Sequence, residues 1–174
     1  MRLRFPDGWL DFDLNLFTDV AYLVDARLDE IEQLATSNPG LADGLDYPLR
    51  HEHLLGIGFV AAQSYLTVVT AEGETPRGQA LSVGPRHASG IALAQLVQHG
   101  ANFWKHADEW DSRTRDARRG LIVDAFAQVG MVEDEMSLYG LLVQITRSSQ
   151  PRVGDLSPIL EQWHDALERD RVRS

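Results

Sequence analysis

A chain of 174 residues with 44% hydrophobic residues and no cysteine is long enough to bury one core without disulfides, and it has no thiolate metal ligand or thiol nucleophile. Its formal charge of -10 argues against a protein that coats nucleic acid non-specifically, because that mode depends on neutralising many phosphates. The N-terminus has no apolar stretch of the secretory type, and the protein is expected in the cytoplasm.

Residues 1–13 place a Pro6-Asp7-Gly8 turn signal between apolar residues, which predicts an irregular or short hairpin-like arm packing its aromatics on the body. From 14 to about 37, Leu16, Phe17, Val20, Leu23, Val24, Leu28, Ile31 and Leu34 recur at helical spacing, and Asn38-Pro39-Gly40 ends the helix. A loop then leads to a second helix, 48–71, apolar nearly all round. Its Gly56, Gly58, Ala61, Ala62 and Ser64 predict close approach by neighbours on several sides. Gln63, Ser64 and Thr67 interrupt an apolar run already shorter than the ~20 residues of a membrane span, so a core helix is expected. Of His51 and His53 at its polar start, only one should face inward.

Residues 72–84 are polar and glycine-bearing and read as a mobile loop. The Gly84-Pro85 break then opens one long helix over 85–110. Leu93, Leu96, Val97, Phe103 and Trp104 fall on one side of it, and Gln95, His99, Asn102, His106 and Glu109 along another. A further helix, 113–128, takes Asp111 or Ser112 as its cap, Leu121, Ile122, Ala125 and Phe126 as its apolar face, and Gly130 as its stop. Asp134 is placed to cap a helix over 135–146. After a loop, Ser157-Pro158 opens the last one, to about 169. With no repeat and no linker, residues 1–174 predict a single all-α domain, a bundle of about six helices with a four-helix antiparallel core. The extended apolar faces also suit a homodimer.

A solvated helix face is ordinarily written in Lys, Glu and Arg. The stripe through 95–109 consists instead of groups that hydrogen-bond specifically and, for histidine, titrate near neutral pH. The segment Ala101-Asn102-Phe103-Trp104-Lys105-His106 resembles the helical motif of HEPN domains. Ribonuclease members of that family carry an arginine, often followed by a polar residue such as asparagine, with a histidine four to six residues after the arginine. Asn102 matches the polar position and His106 the histidine, while Ala101 stands where the arginine belongs.

The resemblance implies a dimeric helical protein of toxin-antitoxin or defence type, and a metal-independent endoribonuclease without cofactor. In that family the histidine works on the attacking 2′-hydroxyl of RNA and the arginine supports the phosphate. Asn102 and His106 are then the candidate catalytic pair. His99, Lys105, Glu109, Arg113 and Arg115 are the candidate ligand-binding residues, with the missing cation supplied by Lys105, Arg113, Arg115 or a second subunit. Arg113, Arg115, Arg118 and Arg119 crowd at a helix start, where free N–H groups would join them in an anion site. Ion pairs with the chain's own Asp116 and Asp124 are the plainer use for them.

Glu161-x-x-His164 and His106-x-x-Glu109 each put two ligand types on one face. A carboxylate-bridged di-iron bundle needs two Glu-x-x-His motifs and two further glutamates, so no metal is expected. The phosphate-binding and nucleophile-elbow signatures GxGxxG, GxxxxGK[ST] and GxSxG are absent. A second hypothesis is a non-enzymatic acidic interaction module, of antitoxin or immunity type, that masks a basic protein partner and uses the stripe as a polar seam between helices. An enzyme needs His106 in an accessible cleft near a cation. A binding module can bury it.

Overall fold

The computed structural model describes residues 2–5, 8–38, 47–107, 117–132 and 136–173. The arm is a two-stranded antiparallel hairpin, β1 (Arg2–Phe5) and β2 (Gly8–Asp11), in register Leu3↔Leu10. Helices α1 (Phe12–Ser37), α2 (Tyr47–Ala71), α3 (Arg77–Leu81), α4 (Leu93–Lys105), α5 (Ala117–Gln128) and α6 (Leu138–Thr146) follow. A single 3-10 turn, Val153–Leu156, runs directly into α7 (Ser157–Arg173).

The fold is an all-α bundle built on α2, with α1 antiparallel to it on one side and α4 antiparallel on the other. Leu55, Phe59, Ala62, Leu66 and Val69 of α2 are buried together with Leu28 of α1, Leu96 and Val97 of α4, Phe126 of α5, Leu141 and Leu142 of α6, and Trp163 of α7. The small residues of α2 and α4 serve these contacts. A Cβ on Gly58 would lie 2.6 Å from Val153 Cγ1, one on Gly56 would fall on the Trp104 indole, and one on Gly100 would lie 2.7 Å from the Phe59 ring. Each glycine costs about 1 kcal/mol of helix propensity, offset by closer packing.

Several boundaries differ from expectation, each for a local reason. The central helix begins at Leu93, not 85. Gly84 and Gly90 both have positive φ, Arg86 bridges Ala92, and the Arg86 guanidinium donates to the carbonyls of Ser82 and Gly90, so 85–92 is a closed turn. Gln95 then caps α4 by accepting from the Ala92 N–H. Residues 72–84, expected as a mobile loop, contain α3, whose Ala80 and Leu81 are buried and whose Ala80 carbonyl accepts from Trp163 Nε1 at 2.9 Å. Helix α6 starts at Leu138 rather than 135. Ser137 caps the Gly140 N–H, while the Glu52 carboxylate of α2 accepts from the Leu138 and Tyr139 N–H groups. An anion from a neighbouring helix thus sits on the positive end of α6. The expected cap Asp134, and Asp111 and Ser112 before α5, lie outside the described residues.

Helix α7 is preceded by the 3-10 turn, with Asp155 accepting from the Arg152 N–H, so Ser157 is already helical and does not cap. It extends to Arg173, beyond 169, and the Arg171 guanidinium donates to the Val69 carbonyl at the end of α2. Gly130, with φ of 90°, closes α5 as its position suggested. Leu121, read as part of the apolar face of α5, is exposed.

The 3-10 turn is clamped from α1. Asp25 accepts from the Val153 and Gly154 N–H groups at 2.8 and 2.9 Å, and Arg152 reaches Asp29 and Glu32 at 2.7 and 2.8 Å. These bonds press Val153 onto Gly58. Gly58→Leu should overpack that contact and cost about 1–3 kcal/mol, read as a lower urea midpoint; an unchanged midpoint would mean α2 is not held this closely.

Candidate functional site

Helix α4 presents Asn102 and Lys105 to α2. Gln63, the one amide in an apolar stretch, is buried there, and its two ends are used differently. Its Nε2 donates to Asn102 Oδ1 at 2.9 Å, and its Oε1 accepts from Lys105 Nζ at 2.6 Å. Asn102 is half-buried and Lys105 exposed, so the chain of bonds runs from the helix interface out to solvent. Lys105 is the only lysine in the sequence, whose other fifteen basic residues are arginine. A compact ammonium can sit against one amide oxygen and keep other donors outward, which a planar guanidinium fork does less readily.

His106 is not inside the helix. It is the C-cap residue of α4, half-buried, with its N–H on the Asn102 carbonyl at 3.2 Å. Trp104 is half-buried over Gly56, and its Nε1 lies 3.4 Å from His53 Nδ1. The end of α4 thereby gathers an ammonium, an imidazole and an indole on consecutive residues.

His99, one turn earlier, is of another kind. Burial pushes its pKa down, so it stands neutral near pH 7, and among the described residues nothing pairs with its Nδ1. Gln95 is occupied in capping α4. Glu109, Arg113 and Arg115 lie outside the described residues. Arg119 is half-buried on α5 and already engaged.

A second polar cluster joins the arm, α2 and α7. Asp11 Oδ2 accepts from the Tyr65 hydroxyl at 2.8 Å and from His164 Nδ1 at 2.9 Å, and His164 Nδ1 also lies 2.7 Å from the Tyr65 oxygen. Asp11 Oδ1 meanwhile caps α1 through the Leu14 N–H. The other ring nitrogen of His164 faces Glu168 at 3.5 Å, so the ring pairs with Asp11 and Glu168 rather than sharing a ligand face with Glu161. All three central groups are buried. Among the described residues, no three His, Cys, Asp or Glu side chains converge as a metal set.

One of the two histidines at the start of α2 was expected to face inward, and it is His51, buried 3.6 Å from Glu32, while His53 is exposed; the sequence did not say which. Sequence reasoning missed Gln63 and Tyr65, whose signal was present as two polar groups amid apolar neighbours, because it read Gln63 only as an interruption. No family model, curated protein or solved structure matches the chain.

Burial alone would raise the Asp11 carboxyl pKa. The hydrogen bonds from the Leu14 N–H, Tyr65 and His164 outweigh it and hold the carboxyl below its usual range. A depressed carboxyl contributes its stability above the unfolded pKa and loses it as pH falls through the folded one. Asp11→Asn should therefore cost about 1–3 kcal/mol at neutral pH, and the deficit should shrink below pH ~4. Denaturant titrations of both proteins from pH 7 to pH 3 check this; a deficit constant with pH would contradict the assignment.

Proposed function

We propose that this is a HEPN-like helical protein that binds RNA at the C-terminal end of α4, with Lys105 and His106 meeting the phosphate and Trp104 offering a stacking face. The observation that carries the reading is the Lys105–Gln63–Asn102 chain, which fixes the sole lysine beside the motif histidine. Such an ammonium supplies the charge that Ala101 cannot. Single-stranded RNA is commonly held by a cation on its backbone and an aromatic side chain against a base, and Lys105 and Trp104 are adjacent in sequence. Five of the 16 basic residues fall between 105 and 119, so a local site is compatible with a chain of net charge -10.

In this reading Asn102 is a positioning residue, because its side-chain carbonyl is held by Gln63 and acts on Lys105 through it. Where cleavage follows binding, His106 is the group that exchanges a proton with the attacking 2′-hydroxyl. The burial of Gln63 favours a second reading, an acidic interaction module in which the same bonds only fasten α2 to α4. The two readings part at the exposed end of the chain of bonds.

Lys105→Gln should weaken binding of single-stranded RNA similarly across sequences and lower the salt slope by about one charge, with the helical circular dichroism spectrum retained. His106→Ala should lower any RNA cleavage by about 10²- to 10⁴-fold without loss of fold. Fluorescence anisotropy over a salt series and a cleavage assay read both. A wild type that neither binds nor cleaves RNA across a broad panel, alongside a markedly destabilised His106→Ala, would favour the module.

A further inference from the structure

Two tyrosines and a histidine meet where α1, the start of α2 and the start of α6 come together. Tyr47 and His51 stand four residues apart on one face of α2 with ring centroids 5.8 Å apart, and the Tyr139 ring of α6 lies 5.5 Å from His51, turned 63° to it. The three rings line an open groove of about 400 Å³ whose walls also include the Glu32 and Glu52 carboxylates. Among the described residues lining it there is no lysine and no arginine. Two of the rings are held in place by the protein itself. His51 is buried with its Nε2 3.6 Å from Glu32, and the Tyr139 hydroxyl donates to the Ser149 carbonyl at 3.3 Å.

We propose that this groove binds a trimethylammonium group, the cation carried by choline and by trimethylated lysine. The inference does not rest on the RNA reading, and the groove shares no residue with the end of α4. An aromatic face carries negative charge density and attracts a cation within about 6 Å of the ring centre, most strongly where water is displaced. Three inclined rings offer a methylated cation apolar contact on several sides at once. Because two of them are fixed beforehand, little ordering cost falls on binding.

The two carboxylates choose among ligands. All four of their oxygens already hold a donor: Glu32 Oε1 and Oε2 accept from Arg152 Nη1 and Nη2 at 3.2 and 2.8 Å, and Glu52 Oε2 and Oε1 accept from the Leu138 and Tyr139 N–H groups at 2.7 and 3.2 Å. A primary ammonium or a guanidinium would compete for acceptors that are engaged. A trimethylammonium group has no N–H and needs only the field and an apolar wall. The field is negative, since Arg152 is shared between Glu32 and Asp29 while Glu52 is paired with backbone alone. It reaches the rings: after burial, the Glu32 charge is what pushes the Tyr47 phenol up. An anion would be repelled here, and an uncharged molecule would gain nothing from the carboxylates.

Choline titrated into the full chain and followed by NMR should saturate below about 10 mM, with Overhauser transfer from its methyl protons to the Tyr47 and Tyr139 rings. Two controls need no variant. 3,3-Dimethylbutanol has the shape of choline without the charge, and methylammonium has the charge without the methyl shell; each should bind about tenfold more weakly or worse. Absence of saturation, or either control binding as tightly as choline, overturns the proposal. Free trimethyllysine should also bind, and the tighter of it and choline names the source of the group. Tyr139→Leu should weaken choline binding about tenfold or more with the helical circular dichroism spectrum retained, and an unchanged affinity overturns the proposal. Should that variant fail to fold, Tyr47→Leu carries the same expectation and the same refutation.

Discussion

The structure depends on covering α2. From His53 to Ala71 this helix carries no formal charge, so water is a poor solvent for most of its circumference and neighbours must be drawn onto it. Its glycines set how near they come. Gly56 receives the Trp104 ring of α4, Gly58 receives Val153 from the 3-10 turn, and Phe59 is met in turn by Gly100 of α4. The close approaches then determine where the polar groups must go. Once α4 is drawn against α2, the amide of Gln63 has lost its water and needs partners, and the facing helix provides Asn102 and Lys105. The hydrogen-bonded chain at the candidate site is thus a consequence of hydrophobic packing on either side of it.

The ends of several elements are tied by carboxylates, two of them from distant parts of the sequence. Asp25 of α1 caps the 3-10 turn, Glu52 of α2 caps α6, and Asp11 caps α1 while also receiving Tyr65 and His164. An acidic chain has carboxylates to use, and these accept from backbone N–H groups at helix starts, where the dipole favours negative charge. Part of the charge that lowers the pI to about 4.9 is therefore structural and directed inward. Net charge alone misjudges how acidic the surface is.

The all-helical class and the six long helices were legible because each rests on local periodicity, and α2 was legible as the core because its apolar residues encircle it. Three kinds of feature were not. Helix starts set by a distant residue escape local reasoning: nothing near Leu138 announces that Glu52 will meet its N–H. The turn over 85–92 depends on Arg86 finding two carbonyls and on positive φ at Gly84 and Gly90, whereas Pro85 by itself suggests a helix start. Order in α3 depends on Trp163, more than eighty residues away. At the candidate site, Asn102, Lys105 and His106 were visible as a motif, but a helical wheel of α4 alone could not reveal their common partner on α2. Leu16 and Leu23 show the same limit from the other side, since periodicity reports an apolar face without saying whether this copy of the chain covers it.

The choice of lysine at 105 joins these threads. Holding a charge at the mouth of a helix interface needs a donor small enough to reach one amide oxygen and a stem long enough to leave the apolar wall, and lysine has both. An arginine there would seek two acceptors in one plane, while Gln63 offers a single oxygen because its nitrogen is turned toward Asn102. The orientation of the Gln63 amide is in turn imposed by Asn102, whose carbonyl accepts from it. Asn102 thus decides which end of Gln63 faces Lys105, and through it where the sole ammonium of the side chains stands relative to His106. Removal of the asparagine carbonyl would free the amide to flip, bringing its donor toward the ammonium and expelling it. A residue one bond removed from the exposed ammonium can in this way govern the charge at the end of α4.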